Sequence, residues 1–126
     1  MESTGIAGSS LGALISLYAF FRAPQAFGFA GILSPALWFA DAAIFRYVQD
    51  APYVAGRVYL DVGMREGERT LHNAREMRDL LVSRGYTLGK DFSYVEDKHG
   101  MHNESAWGRR MRLALPFLLD GTGSDR

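Results

Sequence analysis

Thr4-Gly5-Ile6-Ala7-Gly8-Ser9-Ser10-Leu11-Gly12 joins a short apolar run with strand character to an apolar helical stretch, Leu11 to Arg22. Its Gly8-Ser9-Ser10-Leu11-Gly12 core fits G-x-S-x-G, the pattern of a nucleophile elbow, in which a serine sits on a tight turn between strand and helix. At this spacing side chains two residues before and after the serine are expected to collide, so both places call for glycine. The turn lifts Ser10 Oγ to the N-terminus of the helix. There the helix dipole and the free N–H of Leu11 favour developing negative charge. The plainer reading of the same residues is a Gly-rich turn that lets a helix pack close to a sheet.

Working outward, the 126 residues are the length of one domain, enough to bury roughly two-thirds of the unfolded surface. Hydrophobic content of 48% and charged content of 22% are those of a soluble globular chain. Fourteen basic residues balance fourteen acidic ones, which leaves no electrostatic footprint for nucleic acid or an anionic membrane. The absence of cysteine excludes a disulfide framework, a thiolate metal site and a cysteine nucleophile. Met1-Glu2-Ser3-Thr4 lacks the layout of a signal peptide. Arg22-Ala23-Pro24-Gln25 and Ser34-Pro35 interrupt the apolar stretches before they could span a bilayer. A cytoplasmic location is the resulting expectation.

Strand-then-helix units follow one another. The elbow strand, about Thr4 to Ser9, leads into the helix Leu11 to Arg22, which is apolar on nearly every face and is expected to be sandwiched between the sheet and other elements. Phe27 to Leu33 is a continuous apolar run typical of a strand covered on both faces, followed by a turn at Ser34-Pro35 and a helix around Asp41 to Gln49. Arg57 to Gly63 is again β-rich. After a loop from Met64 to Gly67, an amphipathic helix carries Leu71, Ala74, Met77 and Leu81 on one face and stops at Arg84-Gly85. A last strand, Phe92 to Glu96, precedes a helix with Trp107, Met111, Leu115 and Leu118 on one stripe and a kink expected at Pro116. Four strands alternating with four helices imply an α/β fold with a parallel sheet and helices on both faces.

In open parallel sheets reactive groups gather at the C-terminal ends of strands. A nucleophilic serine needs a base, and the base an acid that holds its tautomer. Following strand ends in the order serine, acid, histidine gives Glu66 after the third strand and His99 or His102 after the fourth. Asp61 falls inside its strand and reads as a structural or buried polar residue, while Glu68 reads as the start of the next helix. His99 and His102 are three apart, half of a metal site at most, and no acidic or cysteine partner stands at a fitting spacing. His72 lies on the amphipathic helix and reads as a surface residue.

Four blocks in order resemble one family: Gly5 to Gly12; Ser34-Pro35-Ala36-Leu37-Trp38; Val58 to Glu66; and His102-Asn103-Glu104-Ser105-Ala106-Trp107. They are similar to the esterase family of α/β-hydrolases that includes enterochelin-type siderophore esterases, feruloyl esterases and esterase D. The resemblance covers about Gly5 to Leu119. It implies a serine carboxylic-ester hydrolase acting on a small-molecule ester through an acyl-enzyme, without cofactor or metal. By position it implies Ser10 as nucleophile, Glu66 as acid, and His102 rather than His99 as general base. The Leu11 backbone N–H would hold the oxyanion, and Trp38 would line the substrate pocket, the alternative for Trp38 being core packing. Ala13 stands where many members have glycine.

The resemblance also implies a C-terminal half of the α/β-hydrolase fold, residues 1–120 beginning at the elbow strand, with 121–126 as a flexible tail. Members of the family carry about four strands before the elbow, and those strands donate the second oxyanion N–H. Losing one such donor costs on the order of 3 kcal/mol of transition-state stabilisation. The elbow strand would then be an open edge, to be paired by a homodimer or by a complementary N-terminal chain. The alternative function is a non-catalytic hydrolase remnant that acts as an association module.

Overall fold

A computed structural model of the chain describes residues 4–120; the tail expected at 121–126 lies outside them. The elements run β1 (Gly5–Ser9), α1 (Leu11–Arg22), β2 (Phe29–Leu33), α2 (Phe39–Asp50), β3 (Arg57–Gly63), a 3₁₀ turn (Met64–Glu66), α3 (Glu68–Ser83), β4 (Phe92–Asp97) and α4 (Glu104–Asp120). The strands form one parallel sheet in the order β1-β2-β3-β4. Each successive strand is added on the same side of the last. With right-handed crossovers, all three connecting helices must then lie on one face of the sheet.

Side-chain alternation confirms the two layers. Ala30, Ile32, Val58, Leu60 and Phe92 point into a core shared with Leu17 and Phe20 of α1, Ile44 and Val48 of α2, and Met77 and Leu81 of α3. The opposite face offers Leu33 and Tyr59 to α4, which packs Ala114, Phe117 and Leu118 onto them. Helices therefore cover both faces, three on one and one on the other.

Two expectations about the helices are corrected. α1 is not sandwiched, because Leu11, Ile15 and Tyr18 are exposed, Ile15 by 62%. It belongs to the first crossover, beside the β1 edge, and α2 flanks it on one side only; Leu14, Ile15, Tyr18, Phe39, Ile44 and Tyr47 line the resulting apolar groove. In α4 the inner face is Ala106, Arg110, Ala114, Phe117 and Leu118, while Leu115 is 40% exposed. Small Ala114 lets the helix axis approach the sheet, and buried Arg110 turns toward carboxylates at the strand ends. Both rotate the helix away from the stripe that hydropathy alone selects. α4 continues through Pro116 as one helix.

α3 is fastened to β4 by charge. Arg75 donates from Nε and Nη2 to the two oxygens of Glu96 at 2.8 and 2.9 Å, and the Tyr94 hydroxyl donates to the same carboxylate at 2.7 Å. The hydrogen bond from Arg75 holds the Glu96 carboxyl down at about 2, partial burial opposing it and Tyr94 and Arg78 adding to it.

The backbone of the elbow sets Ser10 at φ 57° and ψ −120°, a strained conformation for a residue with a side chain, costing on the order of 1–3 kcal/mol. Three hydrogen bonds hold it: Ser10 N–H donates to the Leu33 carbonyl at 3.0 Å, and the Ser10 carbonyl accepts from Leu14 N–H at 3.2 Å and Ala36 N–H at 3.1 Å. The glycines are unequal. A Cβ on Gly8 would lie 2.6 Å from the Gly12 carbonyl carbon, whereas a Cβ on Gly12 meets nothing within 4 Å. Only the first is sterically required, because the turn folds the helix start back over Gly8.

Two outcomes follow from this packing. Gly8→Ala is expected to lower stability by about 1–3 kcal/mol through overpacking, and Gly12→Ala to be neutral or stabilising by about 0.5 kcal/mol through helix propensity; urea midpoints measure both. The folded Glu96 carboxyl lies below its ordinary 4.5, so its contribution is complete above pH 4.5 and is lost as pH falls toward about 2. The stability gap between wild type and Glu96→Gln should therefore close over that window, as read from thermal midpoints against pH.

Candidate active site

Because the strands are parallel, their C-terminal ends share one edge of the sheet, and the candidate residues lie just beyond it. Ser10 follows β1 directly and is half-buried. Leu11 opens α1, so its N–H has no acceptor within the helix and points out of the helix N-terminus beside Ser10.

Beyond β2, Ser34 is fully buried and also has a positive φ, 46°. Its N–H donates to the carbonyl and the side chain of Asp61 on β3, at 3.1 and 3.0 Å. Its hydroxyl donates to Glu66 Oε2 at 2.5 Å. Beyond β3, the 3₁₀ turn carries Glu66 back toward its own strand, where Oε2 also accepts the Gly63 N–H at 2.6 Å. The Glu66 side chain is 1% exposed.

Beyond β4, the segment from Asp97 to Asn103 turns at Gly100, whose N–H bonds the Asp97 carbonyl at 2.9 Å and whose carbonyl accepts the Arg65 N–H at 3.0 Å. Gly63 and Gly100 touch so closely that a Cβ on Gly63 would overlap the Gly100 carbonyl. This contact brings the loops after β3 and β4 together. His102 then meets Glu66 Oε1 through Nδ1 at 2.6 Å and Ser10 Oγ through Nε2 at 2.9 Å. An ionised carboxylate only accepts, so Nδ1 carries the proton and Nε2 is left to accept the Ser10 hydroxyl. Trp107 sets the imidazole plane, its ring edge-on at 4.8 Å. Asn103 Oδ1 caps α4 by accepting the Ala106 N–H at 2.9 Å, which anchors the residue following His102. The His102 side chain is 42% exposed and borders an open cleft of about 550 Å³ with Asn103, Ser105 and Trp107.

Beneath this chain of contacts lies a buried ionic cluster. Arg110 donates from Nη1 to Asp61 Oδ1 at 3.1 Å and from Nη2 to Ser34 Oγ at 3.0 Å, and lies 3.6 Å from Glu66 Oε2. Tyr59 donates to Asp61 Oδ2 at 2.8 Å. Burial pushes the Asp61 carboxyl up to about 6 against the opposing pull of Arg110, Tyr59 and the Ser34 N–H.

The structure thus brings Ser10, His102 and Glu66 into one hydrogen-bonded row. His99 is not part of it: its backbone N–H lies 3.4 Å from Asp97, and its side chain faces a separate pocket with Met101 and Arg109. Asp61 is buried behind Glu66, Glu68 is exposed at the start of α3, and His72 pairs on the surface with Glu76 at 2.6 Å. Trp38 is 59% exposed, so it is no core residue; it follows the segment whose Ala36 N–H binds the Ser10 carbonyl and stacks edge-on with Phe39 at 6.1 Å. Neither Ser34 nor Arg110 stands out in the sequence as a site residue. Ser34 reads as a turn residue before Pro35, and an arginine between Ala106 and Ala114 has only its small neighbours to mark an inner face. Among the described residues no cluster of three or more His, Asp or Glu could hold a metal ion, and no helix is long and apolar enough to cross a membrane.

With this geometry in place, comparison with known proteins is informative. The Esterase family model, described as "Putative esterase", matches residues 1–118. An uncharacterized protein of Bacillus subtilis, YbbA, is 27% identical over 124 residues, 93% of this chain and 49% of its own length. The enterochelin esterase of Shigella flexneri superposes with a TM-score of 0.76 at 20% identity, over 94% of this chain and 31% of that one. A ferulic acid esterase does so with a TM-score of 0.76 at 16% identity, over 94% of this chain and 51% of that one. The chain spans about half the length of the curated relative it matches. Its four parallel strands and four helices are a portion of the α/β-hydrolase fold, and the chain belongs to the esterase family.

Proposed function

We propose that this chain carries the reacting groups of a serine carboxylic-ester hydrolase. The observation that carries the reading is the row Ser10 Oγ, His102 Nε2, His102 Nδ1, Glu66 Oε1, with links of 2.9 and 2.6 Å. In this reading Ser10 Oγ attacks the ester carbonyl and its proton passes to His102 Nε2. The C–O bond to the alcohol breaks, and the imidazolium returns the proton to the departing oxygen. Glu66 keeps Nδ1 protonated and balances the imidazolium charge. Water, deprotonated by His102, then attacks the acyl-enzyme, releasing the acid and restoring Ser10. In the same reading the Leu11 N–H meets the oxyanion and Trp38 lines the substrate pocket.

The substrate class is a small-molecule ester. Two observations, the open outer edge of β1 and the bare Leu11, Ile15 and Tyr18 face of α1, favour a further chain or segment pairing there, a second copy or a complementary polypeptide. They also support the second reading, an association module without chemistry. The family match over residues 1–118 supports reading residues 1–120 as one partial hydrolase domain.

Exposure to a fluorophosphonate separates the two. The hydrolase reading expects one adduct per chain, mapped to Ser10, absent in Ser10→Ala and formed about a hundredfold or more slowly in His102→Ala. Absence of an adduct on the folded protein, together with a stable dimer in sedimentation, would instead select the association module.

A further inference from the structure

Arg110 is the only buried cation among the described residues, and it stands at the centre of the groups behind Glu66. Its guanidinium faces Asp61 from β3, Ser34 from the segment after β2, Glu66 from the 3₁₀ turn and Asp97 from β4, the last at 3.6 Å from Nε. It also lies 3.4 Å from the carbonyls of Met101 and Ala106. Asp97 is shared with Arg109, at 2.5 Å, and Asp61 with the Tyr59 hydroxyl. His102 approaches the cluster from the other side of Glu66.

The order of donors is what matters. Ser34 Oγ accepts from Arg110, so its own hydrogen is directed at Glu66 Oε2. Oε2 receives the Gly63 N–H as well, so the carboxylate cannot rotate without breaking two hydrogen bonds. Oε1 is thereby left for His102 Nδ1 alone. The same guanidinium supplies the positive charge for a buried site that holds two carboxylates, Asp61 and Glu66, with side chains 0% and 1% exposed. Resting on the assignment of Ser10, His102 and Glu66 above, we propose that Arg110 is a positioning residue for the general base, acting through Ser34 and Glu66 to hold the His102 imidazole toward Ser10. Ser34 is its relay, and the left-handed backbone of Ser34 is the strain the fold accepts to place that hydroxyl between them.

The test compares wild type, Arg110→Met and Arg110→Lys in two measurements. The first is the pH dependence of fluorophosphonate labelling at Ser10. Without the guanidinium the cluster takes up a proton more readily, and neither a neutral Glu66 nor an imidazolium at His102 supports proton transfer from Ser10. The acid limb of Arg110→Met should move to higher pH by about one unit or more, which is about tenfold slower labelling below the limb. Arg110→Lys keeps the charge and loses the fork, so its limb should stay near that of wild type while labelling slows. The second is the downfield Nδ1–H proton resonance of His102, identified by its absence in His102→Gln. It needs no turnover, and it should be lost or broadened in Arg110→Met and weakened in Arg110→Lys. A folded Arg110→Met protein with an unmoved limb and an intact resonance overturns the proposal and leaves Arg110 a structural ion. If Arg110→Met does not fold, wild-type labelling and resonance in Arg110→Lys overturn it equally. If wild type is not labelled, the nucleophile assignment fails by itself, and the resonance still decides whether Arg110 orients His102.

Discussion

Parallel pairing in one direction governs this molecule. Adding β2, β3 and β4 in turn to the same side leaves every strand end at one edge, and it forces α1, α2 and α3 into one layer. Ser10, Ser34, Glu66 and His102 come from four separate segments yet meet there because each follows a different strand end. α4, which follows the last strand, packs on the opposite face, from which Arg110 reaches the cluster from beneath. An edge that collects carboxylates also collects repulsion, and a single buried guanidinium is what makes the collection tolerable.

The site is stiff where chemistry requires orientation and open where a substrate would enter. Glu66 is buried with its acceptors taken by Ser34, Gly63 and His102, whereas His102 borders a cleft and Ser10 is half-buried. Part of the strain lies in the same place: of the five described non-glycine residues with positive φ, Ser10 stands in the row and Ser34 behind Glu66, each held by hydrogen bonds to the neighbouring strand. Local strain of this kind persists only when the surroundings over-determine it, and here the surroundings are the sheet itself.

Much of the fold was legible because its signals are local. The elbow spacing, the apolar run ending at Leu33, the Arg84-Gly85 stop and the Ala74, Met77, Leu81 face of α3 each depend on residues within a turn or two of one another. The misread features depend on distant contacts. α4 turned its inner face to Arg110 and Ala114 rather than Leu115 because carboxylates from β3 and the 3₁₀ turn lie on that side, and no periodicity within the helix records them. The apolar residues of α1 read as a covered helix, whereas its bare Ile15 and Tyr18 follow from its place beside an edge strand. The elbow pattern gives Gly8 and Gly12 the same steric duty, but it belongs to Gly8 alone, since the turn curls over one flank only.

By itself the sequence determined the alternation of strands and helices, the parallel sheet that alternation requires, and the order in which a serine, a carboxylate and two histidines follow strand ends. These are properties of residue type and spacing along the chain. Residue spacing left His99 and His102 open and the resemblance implied His102; in the tertiary structure it is the His102 imidazole that meets Glu66, where the contact of Gly63 with Gly100 brings the two loops together. The tertiary structure also decided what stands behind Glu66. Ser34 and Arg110 are 76 residues apart and acquire a shared task only when α4 packs on the sheet and brings the guanidinium to the end of β2, where both converge on Glu66 Oε2.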